Sequence, residues 1–274
     1  MVHTVVVANR KGGVGKTQVA CHLAAGLSML GYRVMLVDTD PQGHDALMFG
    51  LPKADGLYDV MFCEDEELPA VLSKALYQVP PSRFIPPGFE GAPELYLLPS
   101  SKATAVVPLE QKNPFKFKNV LTEIGELLAL DFVVVDTGPT TSMFDGSVNL
   151  AADGFILPTE LSRLSFDGLN EIISEVSAIN KEKRKLGLGS TSIYGIIPNK
   201  FRAGNVKNQQ QNISELSQKF GALVWPLVSL REVWSAASKH GQLVYSYMPG
   251  GQEATDAWMY VEKFLEAAHA ATQA

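Results

Sequence analysis

Apolar positions along the chain follow two patterns that alternate. Short continuous runs of Val, Ile, Leu and Phe stand at Val5 to Ala8, Val34 to Val37, Leu95 to Leu98, Phe132 to Val135, Phe155 to Leu157 and Ile193 to Ile197. Runs without polar alternation suit strands buried on both faces of a parallel sheet. Other segments carry helical spacing. Thr17 to Leu30 places Val19, Ala20, Leu23, Ala24, Leu27 and Leu30 near one face, and Gly31 supplies a residue tolerant of the left-handed C-terminal turn. Similar spacing predicts helices over Phe166 to Lys183, Asn208 to Phe220 and Ala254 to Ala271. This alternation predicts a doubly wound α/β fold, with a mostly parallel sheet and helices on both faces, as a single domain over residues 1–274.

One stretch breaks the rhythm. Between Val79 and Pro99 stand Pro80, Pro81, Pro86, Pro87, Pro93 and Pro99, with Gly88 and Gly91. Proline removes a backbone donor and biases its predecessor away from helix, so the expectation is an irregular surface excursion or long crossover loop.

Composition narrows the class. Hydrophobic residues make up 46% and charged residues 19% of the 274 residues, which permits a substantial core and argues against disorder or coiled coil. With 23 basic and 29 acidic residues, any nucleic-acid contact has to come from a local patch. Cys21 and Cys63 are too few for a disulfide scaffold or a four-thiolate metal site. No apolar run approaches the roughly 20 residues that cross a bilayer, and Met1-Val2-His3-Thr4 enters an apolar run without a charged leader. The expectation is a cytoplasmic protein.

The informative stretch is Val5-Val6-Val7-Ala8-Asn9-Arg10-Lys11-Gly12-Gly13-Val14-Gly15-Lys16-Thr17: an apolar strand, a glycine-rich turn, then Lys-Thr opening a helix. Glycines let successive backbone N–H groups curl toward phosphate oxygens, and a helix N-terminus adds partial positive charge. In such a cradle Lys16 reaches the β- and γ-phosphates and the Thr17 hydroxyl ligates Mg²⁺. The usual phosphate-loop pattern has glycine where this chain has Arg10, and a second lysine, Lys11, precedes the paired glycines.

That extra lysine resembles the ParA/MinD group of deviant Walker A ATPases, which are P-loop NTPases. Further motifs agree: Asp38-Thr39-Asp40-Pro41-Gln42-Gly43 matches the family's D-x-D-P-Q-G, and Asp136-Thr137-Gly138-Pro139 matches D-[TC]-P-P except for Gly138, expected to alter loop stiffness more than chemistry. Toward the end, Trp225-Pro226, Ala236 to Gly241 and Leu243-Val244 match loosely.

The resemblance implies ATP and Mg²⁺ as cofactors. The implied nucleotide contacts are Lys11, Gly12, Gly13, Val14, Gly15, Lys16, Thr17 and Gln18, with Asn199 on adenine; no Asp stands four places along, as it would in GTP-specific N-K-x-D. Thr17, Asp38, Asp40 and Asp136 are the implied magnesium set, and Asp40 orients the attacking water. Lys11 is implied to cross to the nucleotide of a second copy, so that ATP joins a homodimer and hydrolysis loosens it.

Two surfaces compete for control by such a switch, and a metabolic class stands beside them. ParA-type proteins bind DNA without sequence preference, and Lys200, Arg202, Lys207, Arg231 and Lys239 are the candidates here. A second basic run, Lys181, Lys183, Arg184 and Lys185, reads as a solvated helix end. MinD-type proteins bind membrane through a basic amphipathic C-terminal helix, but Val261 to Ala274 lacks the basic cluster, so no membrane partner is expected. Metabolic or cofactor-maturation relatives with metal clusters need cysteine pairs, and no C-x-x-C occurs. With the cradle opening at residue 11, no helix-turn-helix domain is expected before it. The favoured expectation is a nucleoid-associated partition or cargo-positioning ATPase of weak intrinsic activity. A ParB-like or cargo-adaptor protein would stimulate its hydrolysis.

Overall fold

The apolar runs pair into one seven-stranded sheet of order β3-β4-β2-β5-β1-β6-β7. The strands are β1 (His3–Val7), β2 (Val34–Asp38), β3 (Tyr77–Gln78), β4 (Leu95–Leu98), β5 (Phe132–Asp136), β6 (Gly154–Glu160) and β7 (Ser192–Asn199). All pairings are parallel except the short β3 against β4. The computed structural model describes residues 2–139, 143–161, 163–201 and 206–272, less the side chains of 143–145, 163–167, 206–208 and 272.

Helices cover both faces. They are α1 (Lys16–Met29), α2 (His44–Met48), α3 (Gly56–Phe62), α4 (Leu68–Ala75), α5 (Val107–Glu110), α6 (Lys116–Leu127), α7 (Met143–Ala151), α8 (Arg163–Lys185), α9 (Val206–Phe220), α10 (Glu232–Lys239), α11 (Val244–Tyr247) and α12 (Gln252–Thr272). Successive strand residues point to opposite faces, so the continuous apolar runs feed two cores. Val5, Val7, Leu36 and Val134 pack with α1 and α12, whereas Val6, Met35, Val37, Val133 and Val135 pack with α3, α6 and α8. α1 approaches α12 closely at Gly26, where a Cβ would collide with Val261 Cγ2.

The proline-rich stretch is not only a surface loop. Tyr77 and Gln78 just before it pair with Leu97 and Tyr96 at the sheet edge, and Val79 and Phe84 are buried in the α1-side core. The Arg83 carbonyl accepts from the Leu243 amide at 2.8 Å and the Ser246 hydroxyl at 2.9 Å. A large aromatic between prolines gains more from burial than the irregular backbone loses.

The basic run after residue 180 is not wholly a solvated helix end. Lys183 is buried, and its ammonium donates to the Ala152 carbonyl at 2.6 Å and to Thr191 Oγ1 at 2.7 Å. Burial pulls its pKa down to about 8. Lys181, Arg184 and Lys185 remain exposed.

Candidate functional site

β1, an interior strand between β5 and β6, ends at Val7 and α1 begins at Lys16, so the glycine-rich turn lies above the carboxyl edge of the strands. That edge, where neighbouring connections diverge, is where open α/β sheets bind ligands. Gly13 and Gly15 have φ of 75° and 98°, values that L side chains rarely adopt. Asn9, which the sequence reading passed over, braces the start of the turn. Its Nδ2 donates to the Pro158 carbonyl at 2.7 Å and its Oδ1 accepts from the Lys11 amide at 2.9 Å. Its signal was position alone: a buried Asn directly after a strand.

Lys16 is buried at the first helical position, with Nζ 3.5 Å from the Lys11 carbonyl. Burial lowers its pKa, and the Asp136 and Asp40 carboxylates push it back up. Thr17 Oγ1 donates to Asp136 Oδ2 at 2.6 Å. Asp136 stands beside Asp38 in register, because β2 and β5 are neighbours.

The buried carboxylate cluster and the implied magnesium set differ in one member. The carboxylates within 4.8 Å of one another are Asp38, Asp45 and Asp136. Asp45 in α2 was not anticipated. Its backbone N–H donates to Asp38 Oδ2 at 3.2 Å, and Cys21 Sγ donates to its Oδ1 at 3.7 Å. Asp40 is not part of that group. It is half-buried, its Oδ1 accepts from the Gln42 amide at 2.9 Å, and it lies against Gly138.

Three buried carboxylates resist ionising together. Burial and the Asp136 charge raise Asp38 to about 8; burial raises Asp136 to about 6 against the pull of Thr17 and Lys16. Burial and the Asp38 and Asp136 charges push Asp45 well up. Among the described residues no N–H or alcohol donor reaches Asp45 Oδ2 or Asp136 Oδ1, and only a proton shared between the Asp45 and Asp136 carboxyls would link them. An all-oxygen donor set with orphaned oxygens fits a small hard divalent cation, which Thr17, Asp38, Asp45 and Asp136 would hold.

Beyond the turn, a cleft is lined by Gly15, Gln18, Asn199, Lys200, Leu230 and Trp234, among others. Asn199 Nδ2 donates to the Val14 carbonyl at 2.9 Å and its Oδ1 accepts from the Lys200 amide at 2.8 Å. Gln18 Nε2 and Tyr260 Oη, on residues lining this cleft, are buried without a partner.

The cations divide differently from expectation. Lys11, still partly exposed, has its Nζ 2.6 Å from Glu160 Oε2. Arg10, in the place of the usual glycine, pairs with Glu175 and lies 3.7 Å from Glu171 on α8. Among the DNA candidates, Lys200 turns to the cradle: its φ is 59°, and its Nζ is 3.8 Å from where a Gly13 Cβ would sit. Arg231 is taken up by Asp256 at 2.8 Å and Glu253 at 3.7 Å. Lys239 is exposed, whereas Arg202 and the Lys207 side chain lie outside the described residues.

A glycine-rich turn closing on a helix, a buried lysine, and a threonine joined to a strand-end aspartate define a P-loop nucleotide-binding protein. The family described as an AAA domain matches residues 2–187. The chain belongs to that family and, within it, to the ParA/MinD group of P-loop ATPases. It is 30% identical over 186 residues to an uncharacterized protein of Pseudomonas putida, covering 65% of this chain and 64% of that one, just under two thirds of its length. It is 27% identical over 253 residues to the chromosome-partitioning ATPase Soj of Treponema pallidum, covering 90% of each chain. The septum site-determining protein MinD of Pyrococcus horikoshii, solved with Mg-ADP, shares the fold at a TM-score of 0.70 and 19% identity, over 99% of each chain. Among the described residues, no helix is long and apolar enough to cross a membrane.

Proposed function

We infer that this chain is a single-domain ATPase that binds ATP and Mg²⁺ in the 11–17 cradle, pairs with a second copy on ATP, and then holds DNA without sequence preference. Hydrolysis releases it, stimulated by a ParB-like or cargo-adaptor protein, in plasmid or chromosome partition or cargo positioning at the nucleoid. The observation that carries the nucleotide reading is the Thr17–Asp136 bond beside two orphaned carboxylate oxygens, at the foot of a turn whose Lys16 is buried. Phosphate charge and the cation would together satisfy groups that are otherwise costly to bury.

The remaining roles follow from position. The cleft at Gln18 and Asn199 offers unpartnered polar atoms to a base, which suits adenine. Asp40, half-buried and near enough to influence Lys16, would orient water at the γ-phosphate. Lys11 would serve the nucleotide of the second copy. The DNA and partition parts rest on the relative named chromosome-partitioning ATPase Soj. Against a lipid-anchored switch, α12 buries Tyr260, Val261 and Phe264 in the core with α1, which leaves that helix no free apolar face for a membrane.

The test is DNA co-sedimentation with ATP, with ADP and without nucleotide. Binding is expected with ATP only, abolished by Lys16→Ala and kept or prolonged by Asp40→Ala. Sedimentation indifferent to nucleotide, or vesicle binding in place of DNA binding, would overturn the reading.

A further inference from the structure

Three strand ends converge on one carboxylate. β6 lies between β1 and β7, and its last residue, Glu160, pairs in register with Asn199 at the end of β7. The turn after β1 brings Lys11 to it from one side, with Nζ 2.6 Å from Glu160 Oε2. Lys200, one residue past β7, comes from the other, with Nζ 3.8 Å from Oε1. The carboxylate uses one oxygen for each lysine and so bridges the mouth of the cradle. Lys200 is held there by an unusual backbone: a non-glycine residue at φ 59°, its amide tied to Asn199 Oδ1. Its ammonium lies 3.8 Å from where a Gly13 Cβ would sit, beside the glycine turn that would receive phosphate. All three side chains are about one-third exposed, at 38%, 31% and 35% for Lys11, Glu160 and Lys200, so an incoming anion can reach them.

We propose that Glu160 is a counter-ion clasp that holds Lys11 and Lys200 across the mouth of the cradle, is displaced from them by the phosphates of ATP, and thereby sets the ATP concentration at which Lys11 turns to a second copy. This rests on the reading that ATP occupies the cradle. A polyphosphate carries more charge than one carboxylate and accepts from both lysines at once, so the exchange runs toward the nucleotide. The displaced Glu160 then faces phosphate as a like charge, which sets a threshold on binding rather than a block. Arg10 shows the same arrangement on the other side of the loop, paired to Glu175 on α8. Lys16 differs: it is buried, and its Nζ lies near the Lys11 carbonyl.

Titration with Mg²⁺ and a fluorescent N-methylanthraniloyl ATP, with light scattering for mass, tests the clasp in the full chain. Glu160→Gln keeps the size and removes the charge. It should bind the nucleotide roughly fivefold more tightly than wild type, as loss of two partly exposed ion pairs implies, and pair at correspondingly lower ATP. Glu160→Asp keeps the charge but cannot span both lysines, and should tighten binding by a smaller factor. It decides the matter if Glu160→Gln fails to fold. Wild-type binding with unchanged or weaker affinity in the folded variants overturns the clasp and leaves the ATPase reading standing. A wild-type chain that binds no nucleotide overturns both.

Discussion

Asn199 and Gly15 are in such close contact that a Cβ on Gly15 would collide with the Asn199 side-chain amide. The same amide donates to the Val14 carbonyl at 2.9 Å, so the end of β7 props the phosphate turn before any ligand arrives. A residue that only contacts adenine would leave the nucleotide-free chain unaffected when removed. Asn199→Ala instead leaves the Val14 carbonyl unsatisfied. It should lower stability by about 1–2 kcal/mol in urea unfolding without nucleotide. An unchanged midpoint would restrict Asn199 to a ligand contact.

Asp45 adds a third carboxylate to a pair that already resists ionisation. Its raised pKa means that the folded chain binds more protons than the unfolded one, so its contribution falls as pH climbs above the ordinary carboxylate range. Asp45→Asn removes that loss. At pH 8 without cation the variant should be more stable by about 1–3 kcal/mol. Added Mg²⁺ or Mn²⁺ should stabilise it less than wild type, because one oxygen donor is gone. Equal cation responses in thermal melts would place the cation away from Asp45.

Much of this arrangement could be read from residue order. Val5 to Thr17 spells strand, turn and helix in sequence; Lys16 and Thr17 open α1, and Asp38 and Asp136 end β2 and β5. What could not be read depends on which strands become neighbours. Glu160 matters because β6 lies between β1 and β7, and Asp45 because α2 folds back under β2. Neither leaves a periodic trace. Lys183 looked like one of several surface cations, yet Ala152 and Thr191 are brought over it. Phe84 was hidden among prolines, whose backbone preferences say nothing about where a side chain between them is buried.

Lys183 carries its own pH signature. Its pKa is about 8 folded against an ordinary 10.5, so the unfolded chain holds the proton more tightly. Below pH 8 both states are protonated and stability does not vary with this group. Between the two values the unfolded state binds more protons, and stability rises with pH by up to about 3 kcal/mol. Urea midpoints compared between wild type and Lys183→Met from pH 7 to 10 isolate the effect. The wild type should gain on the variant as pH rises, and parallel curves would show the ammonium to be solvated.

Gly138 stands where related motifs carry proline, and among the described residues nothing lies nearer the space it leaves than Asp40. A Cβ there would lie 3.4 Å from Asp40 Cγ and 3.6 Å from its Oδ2, in ordinary contact and without collision. Gly138→Ala should therefore fold normally while restricting the carboxylate that is proposed to orient water. Because water alignment matters to the transition state more than to the bound nucleotide, the effect should fall on turnover. ATP hydrolysis is expected to change by about threefold or more, with nucleotide affinity within about twofold. If affinity moves and turnover per bound ATP does not, Gly138 acts on the loop's stiffness and Asp40 is not confined by it.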